Sequence, residues 1–380
     1  MRQKPSKPPH ILFMFSDTGG GHRSAAEAII EALQLEFSDQ ITAEMLDVFK
    51  KYGPPPLDMA PELYPPLVKI PDVWHAGYRL SDGRRRSSLV ADITWPYLRR
   101  AARRMLKEHP CDMVVSVHPL INAPMRRAID RPELPFATVV TDMVTTHAFW
   151  YDQHADLVIV ATDRARQRGL DLGLLPDKIK VAGQPVADRF CQPADDREAI
   201  RERLGWPRDA LITLLVGGGE GMGPLQETAE ILDAAHLPIM MVIVAGRNAK
   251  LESRLKSHAW QTPTHVYGFV TEMPDFMRAA DILVSKAGPG TICEGFIAGL
   301  PIILYNRLPG QEDGNVSYVV NEGAGVWAPE PALVRNVLTK WIEQPELRHT
   351  AISACRRLAR PDASRKIARL LAAQVGITPN

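Results

Sequence analysis

Residues 286–326 read KAGPGTICEGFIAGLPIILYNRLPGQEDGNVSYVVNEGAGV and follow an apolar strand at 281–285. That strand opens into the turn Gly288-Pro289-Gly290-Thr291, where a helical pattern begins, and a second apolar strand follows at 301–305. Strand, glycine turn, helix and strand form the repeating unit of a parallel sheet covered by helices. The turn sets unpaired backbone N–H groups and the positive end of a helix dipole where two phosphates fit. Glu294, one turn in, has the reach to accept from both hydroxyls of a ribose. The loop Pro309-Gly310-Gln311-Glu312 adds amide and carboxylate acceptors suited to a hexose. Thr291 and Glu294 also have capping-box spacing, which satisfies helix-end donors with no ligand.

At 380 residues the chain is too long for one core and implies two domains. A content of 45% apolar and 23% charged residues is that of an ordinary globular protein, and a net charge of +1 gives no global case for nucleic acid. The charge is uneven: residues 79–107 hold nine Lys and Arg against Asp82 and Asp92. Such a stretch faces phosphate or anionic lipid, or is a solvated helix face. The four cysteines, Cys111, Cys191, Cys293 and Cys355, are too scattered for a zinc site or a disulfide framework, which suits a reducing compartment. The apolar run 11–15 is a strand rather than a signal peptide, and no run approaches the roughly 18 apolar residues of a membrane span. Any work on lipid is then done from the surface.

The alternation sets the organisation. Residues 11–15, 113–117, 136–140 and 157–161 are short apolar runs, with helical patterns at 24–37 and 97–108 between some of them. A second series, 211–216, 239–245, 264–267, 282–285 and 302–305, begins after Gly183-Gln184-Pro185 and Pro193. This implies an α/β protein of two doubly wound domains, 1–187 and 188–345, facing across a cleft. A basic helical tail, 346–380, is expected to pack back over the linker. Between 51 and 88 the pattern breaks into an irregular insert with Pro54, Pro55, Pro56, Pro61, Pro65, Pro66 and Pro71. Tyr64, Trp74 and Tyr78 lie within it, and Arg84, Arg85 and Arg86 close it. Aromatic, aliphatic and basic residues together suit a membrane interface; a plain mobile loop is the other reading.

In the first domain, Ser16-Asp17-Thr18-Gly19-Gly20-Gly21-His22 joins the first strand to its helix. The register is not GxGxxG and no acidic residue closes an obvious second strand, so a dinucleotide fingerprint is not supported. Gly20 and Gly21 permit close approach of an acceptor. His22 stands at a helix N-terminus, where the dipole disfavours imidazolium and keeps the ring neutral, as a general base requires. His118 and the pair Thr141-Asp142 follow strands, where ligands gather in parallel sheets. Asp142 either orients His22 or is itself the base. His147 and Trp150 line an acceptor pocket or are structural.

SDTGGGH, GGGEGMGP at 217–224, GRN at 246–248, KAGPGT, PIIL and PGQExGN occur in an order that resembles the monogalactosyldiacylglycerol synthase family. The resemblance extends to the processive diacylglycerol glucosyltransferases and, more distantly, to the enzyme that adds N-acetylglucosamine in lipid II synthesis. It spans roughly residues 11–327. It implies a GT-B fold, an inverting mechanism, a UDP-hexose donor, diacylglycerol as acceptor, and neither cofactor nor catalytic metal. Gly288, Pro289, Gly290 and Thr291 would hold the diphosphate, Glu294 the ribose, Phe269 and Val270 the uracil, and Gln311 and Glu312 the hexose. Arg247 and the loop Gly219, Glu220, Gly221 and Met222 would line the donor cleft, and His22 would deprotonate the acceptor. Trp74 with Arg84, Arg85 and Arg86 would meet anionic membrane lipids, for an enzyme at the cytoplasmic face of a membrane. The absence of a transit segment before SDTGGGH suggests a bacterial source.

The chemistry agrees: displacement with inversion needs a base on one face and charge stabilisation for departing UDP on the other. A helix N-terminus and basic side chains supply the latter without Mg²⁺, and the chain has no DxD pair. UDP-glucose is the rival donor, differing by the orientation of one hydroxyl. A UDP-sugar epimerase on the same fold needs no lipid, which the aromatic insert argues against. A non-catalytic nucleotide-binding regulator has no use for His22, Glu294 and Gln311 together.

Overall fold

The computed structural model describes residues 7–17, 20–53, 57–59, 62, 70–129, 131–193 and 196–378. Thr18, Gly19, Pro54, Pro55, Pro56, Pro61, Tyr64, Pro65 and Pro66 of the sequence reading lie outside them. The chain divides into two compact units. One comprises Met1–Asp188, Pro309–Gln311 and Asp362–Asn380; the other comprises Arg189–Leu308 and Glu312–Pro361. Of the tail, Pro345–Leu358 is thus a helix of the second unit, and only the helix Ala363–Gln374 joins the first.

The first unit is built on β1 (His10–Phe15), β2 (Thr42–Asp47), β3 (Met113–Ser116), β4 (Phe136–Val139), β5 (Leu157–Val160) and β6 (Ile179–Val181). They form one parallel sheet in the order β2-β1-β3-β4-β5-β6. Its strands read as continuous apolar runs because both faces are covered. Leu12 and Met14 of β1 join one core with Val114, Phe136 and Trp150, while Ile11, Phe13 and Phe15 join the other. That second core is closed by Ile29 and Leu33 of the helix Gly21–Phe37 and by Ile367 and Leu371 of the C-terminal helix.

The second unit repeats the plan with β7 (Leu211–Val216), β8 (Ile239–Val244), β9 (Thr264–Tyr267), β10 (Ile282–Lys286), β11 (Ile302–Asn306) and β12 (Gly325–Trp327). Its parallel order is β12-β11-β10-β7-β8-β9. In each unit the strand order reverses beside the first strand, between β1 and β3 and between β7 and β10. Connections there leave in opposite directions and open a crevice at the carboxyl ends of the strands.

The proline-rich insert departs from the irregular reading. Pro71–Ser81 is a helix with proline in its first turn, where the missing N–H costs nothing. A second helix, Arg84–Glu108, runs 25 residues through Pro96. Its start lies 13 residues before the 97 expected from the sequence. Packing of Ala102 and Met105 into the first core holds the helix past the proline, overriding a local penalty of about 3 kcal/mol.

Candidate functional site

At the crevice of the first unit, the chain leaves β1 and turns at Gly20, whose φ of 72° is left-handed and favours glycine. Gly21 begins the next helix with open space around it, and His22 follows. The His22 Nδ1 lies 2.9 Å from the Thr141 hydroxyl, just beyond β4. Its ring meets that of His118, beyond β3, edge-on at 4.7 Å. Desolvation drives the His22 pKa down to about 4, against the Val117 carbonyl, which favours the charged ring. The ring is therefore neutral near pH 7. Burial does this, where sequence had pointed to the helix dipole. The Thr141 hydroxyl, able to donate or accept, orients the ring, and a neutral imidazole keeps one nitrogen lone pair, the form a general base needs. Buried His118 is held neutral by burial and by its neighbour His22.

Asp142 is engaged elsewhere. Its Oδ2 accepts from the Trp150 indole at 2.7 Å and its Oδ1 from the Gln311 amide at 2.9 Å, in the short segment Pro309–Gln311 that groups with the first unit. Trp150 is fully buried, so it belongs to the core. His147 is pinned on both nitrogens: Nδ1 accepts from Phe149 N–H at 3.1 Å, so Nε2–H faces the Tyr78 carbonyl at 3.2 Å. It fastens the helix Pro71–Ser81 to this unit.

On that helix Trp74, Tyr78 and Ser81 are half-buried, while Ile70 just before it and Val73 and Leu80 on it are exposed, Leu80 to 71%. Trp74 is thus turned partly inward, while the aliphatic side chains face out. Of the three arginines, Arg84 donates to Gln153 and Arg86 to the carbonyls of Arg79 and Asp82, while Arg85 is exposed.

In the second unit, the helix Pro289–Ala298 starts from Gly288 with proline in its first turn. No side chain among the described residues caps it, so its first N–H groups face the crevice. Thr291 is inside the helix rather than at its cap, which removes the capping-box reading. Glu294, half-buried one turn in, has its pKa pushed up to about 7 by desolvation, with Arg189 opposing. From the end of β7, the loop through Gly219, Glu220, Gly221 and Met222 is folded on itself, with Met222 N–H donating to the Gly217 carbonyl at 2.7 Å. A side chain at Gly221 would meet the Ala245 carbonyl at 2.4 Å. Arg247 pairs with Glu220 at 3.3 Å and stacks at 4.5 Å over the ring of Phe269, which is 58% exposed, with Val270 next to it. An exposed aromatic face backed by arginine suits a base.

Glu312 is placed otherwise than expected. It is 5% exposed, with Oε1 on the Lys286 ammonium and Oε2 on Leu308 N–H. Two residues at the crevice of the second unit escaped sequence reasoning: Lys286, and Asn315, whose amide holds the Ala287 carbonyl at 2.9 Å and so fixes the turn before Gly288. Thr141 was legible from its position beyond a strand, but its contact with His22 was not.

Comparison with known proteins follows the two units. The family described as "Monogalactosyldiacylglycerol (MGDG) synthase" matches residues 22–186, and "Glycosyltransferase family 28 C-terminal domain" matches 213–364. A probable chloroplastic monogalactosyldiacylglycerol synthase of Nicotiana tabacum is 38% identical over 378 residues, covering 95% of this chain and 70% of that protein. Among solved structures, Staphylococcus aureus MnaA with UDP aligns over 98% of this chain and 99% of its own, with a TM-score of 0.64 at 15% identity. Acinetobacter baumannii MurG aligns over 96% and 100%, with a TM-score of 0.61 at 16% identity. These likenesses show the fold, the GT-B arrangement of two Rossmann-like domains.

Glu294 gives a test with a sign. A carboxylate that accepts from a ribose diol must be ionised, so binding is full above its unliganded pKa and weakens as pH falls through about 7. The ratio of affinities for UDP and 2′-deoxy-UDP, which cancels titration of the phosphate, should rise between about pH 6 and pH 8. In Glu294→Gln the ratio should be flat by calorimetry.

Proposed function

The chain belongs to the monogalactosyldiacylglycerol synthase family, and from that membership and its two crevices we propose that it moves galactose from UDP-galactose to diacylglycerol with inversion. The Pro289–Ala298 helix carries the reading: an uncapped N-terminus for a diphosphate, with a carboxyl one turn inside for the ribose diol. Arg247 and Phe269 take the uracil against the exposed ring face. Neutral His22, oriented by Thr141, removes the proton of the acceptor hydroxyl as the oxygen attacks C1. Charge on the departing UDP is met by the helix N-terminus and basic side chains, so the transfer proceeds without a metal.

The acceptor is reached at a lipid surface. No helix among the described residues is long and apolar enough to cross a membrane. Instead Ile70, Val73 and Leu80 lie on one face of a helix, and the next helix exposes Leu89 and Ile93 on the side that carries Arg85, Arg100 and Arg103. Exposed aliphatics beside cations are the composition of a helix lying in an anionic interface.

Incubation with diacylglycerol and each labelled UDP-hexose, followed by lipid extraction, should place label in a neutral glycolipid from UDP-galactose and not from UDP-glucose. His22→Ala should lower turnover by about 10² to 10⁴ while leaving UDP affinity unchanged. Label released only as free sugar or as an epimerised nucleotide would reject the transfer. The protein should also float with anionic vesicles, and Leu80→Asp combined with Ile93→Asp should leave it at the bottom of the gradient. Equal flotation of the double variant would remove those helices from the lipid contact.

A further inference from the structure

We propose that Lys286 is a catalytic residue of this transfer: its ammonium meets the diphosphate at the Gly288 turn and stabilises the charge that UDP carries away. The inference rests on the UDP-sugar reading above and adds a residue to it. Lys286 ends β10, where the pairing with β11 slips: Ser285 faces Leu304, but Lys286 faces Asn306, skipping Tyr305. Such an irregularity re-aims a side chain, and these occur next to active sites. The re-aimed lysine runs along both glycine loops of the crevice. A Cβ at Gly218 would lie 3.1 Å from Lys286 Cε, and one at Gly288 would lie 3.2 Å from Nζ. Glycine at both positions leaves room for the chain and its ammonium.

That ammonium therefore stands beside the N-terminus of the Pro289–Ala298 helix, whose dipole end is also positive. Cation and dipole end repel, so the arrangement is stable only with an anion between or beside them. Here the anion is the buried carboxylate of Glu312, whose second oxygen is fixed by Leu308 N–H at 2.7 Å. Glu312 serves as a resident counter-ion that holds Lys286 in place until a diphosphate shares it.

The step balances without a co-reactant. The acceptor oxygen forms a bond to C1, the bond from C1 to the β-phosphate oxygen breaks, and its electron pair leaves on that oxygen. The acceptor proton goes to His22. Departing UDP gains one negative charge, and a fixed cation at the turn binds it more strongly than the intact donor, which is what accelerates the step.

Two variants test this against a probe without phosphate. Lys286→Met should bind uridine like the wild type, bind UDP less well, and turn over about 10² to 10³ times more slowly, with Lys286→Arg recovering part of the loss. Glu312→Gln, which frees the ammonium but keeps an acceptor for Leu308 N–H, should bind UDP several-fold more tightly by calorimetry. A carboxylate used only for the hexose predicts no change in affinity for UDP, which has no sugar. Turnover within twofold of wild type in Lys286→Met, or unchanged or weaker UDP binding in Glu312→Gln, overturns the proposal. A wild-type protein that binds neither UDP nor UDP-hexose overturns instead the donor reading beneath it.

Discussion

Backbone N–H groups at the start of a helix must be satisfied, and at Pro289 the chain supplies no side chain to do it. Serine, threonine or aspartate one residue earlier can do so, as Thr162 does for the helix Asp163–Asp171. Here that residue is Gly288, and the cation of Lys286 is added beside it. Each choice adds positive charge at the turn, of which the Glu312 carboxylate answers only the ammonium's share. The sheet order then makes the deficit useful, because β10 and β7 flank the point where the strand order reverses and both their loops open on one crevice. The second unit is in this sense a parallel sheet that ends on a helix start with no side-chain cap, beside a lysine that Glu312 holds.

The first unit uses the same topology for the opposite chemistry. The loop after β1 delivers an imidazole instead of a bare helix end, and burial keeps that imidazole uncharged. Desolvation acts on two groups with opposite sign: it lowers His22 to about 4 and raises Glu294 to about 7. Both shifts favour the neutral form, yet their consequences differ. A neutral histidine is ready to take a proton, whereas a carboxyl near 7 is half-ionised and can be completed by a diol that donates to it.

The strands were legible because a parallel sheet buried on both faces demands unbroken apolar runs, and residues such as Ile11 to Phe15 and Ile239 to Val244 have no other reading. The glycine turns and His22 were legible from their place after strands. Prolines misled. Pro71 was read as part of an irregular insert but sits in the first turn of a helix, and the next helix runs through Pro96, held by packing that no local pattern displays. Partnerships across long sequence distances were invisible: Thr141 meets His22 from 119 residues away, and Glu312 meets Lys286 from 26. The aromatic insert was read by composition alone, which cannot say which face of a helix turns outward; Trp74 faces in and Leu80 faces out.

A crystal structure with UDP tests the division of labour most directly. The expected result is a diphosphate within hydrogen-bonding distance of the N–H groups of Gly290 and Thr291 and of the Lys286 ammonium, with the ribose hydroxyls on Glu294. UDP bound instead at the Gly20–His22 turn of the first unit, or at the second unit with its diphosphate away from Gly288, would contradict it.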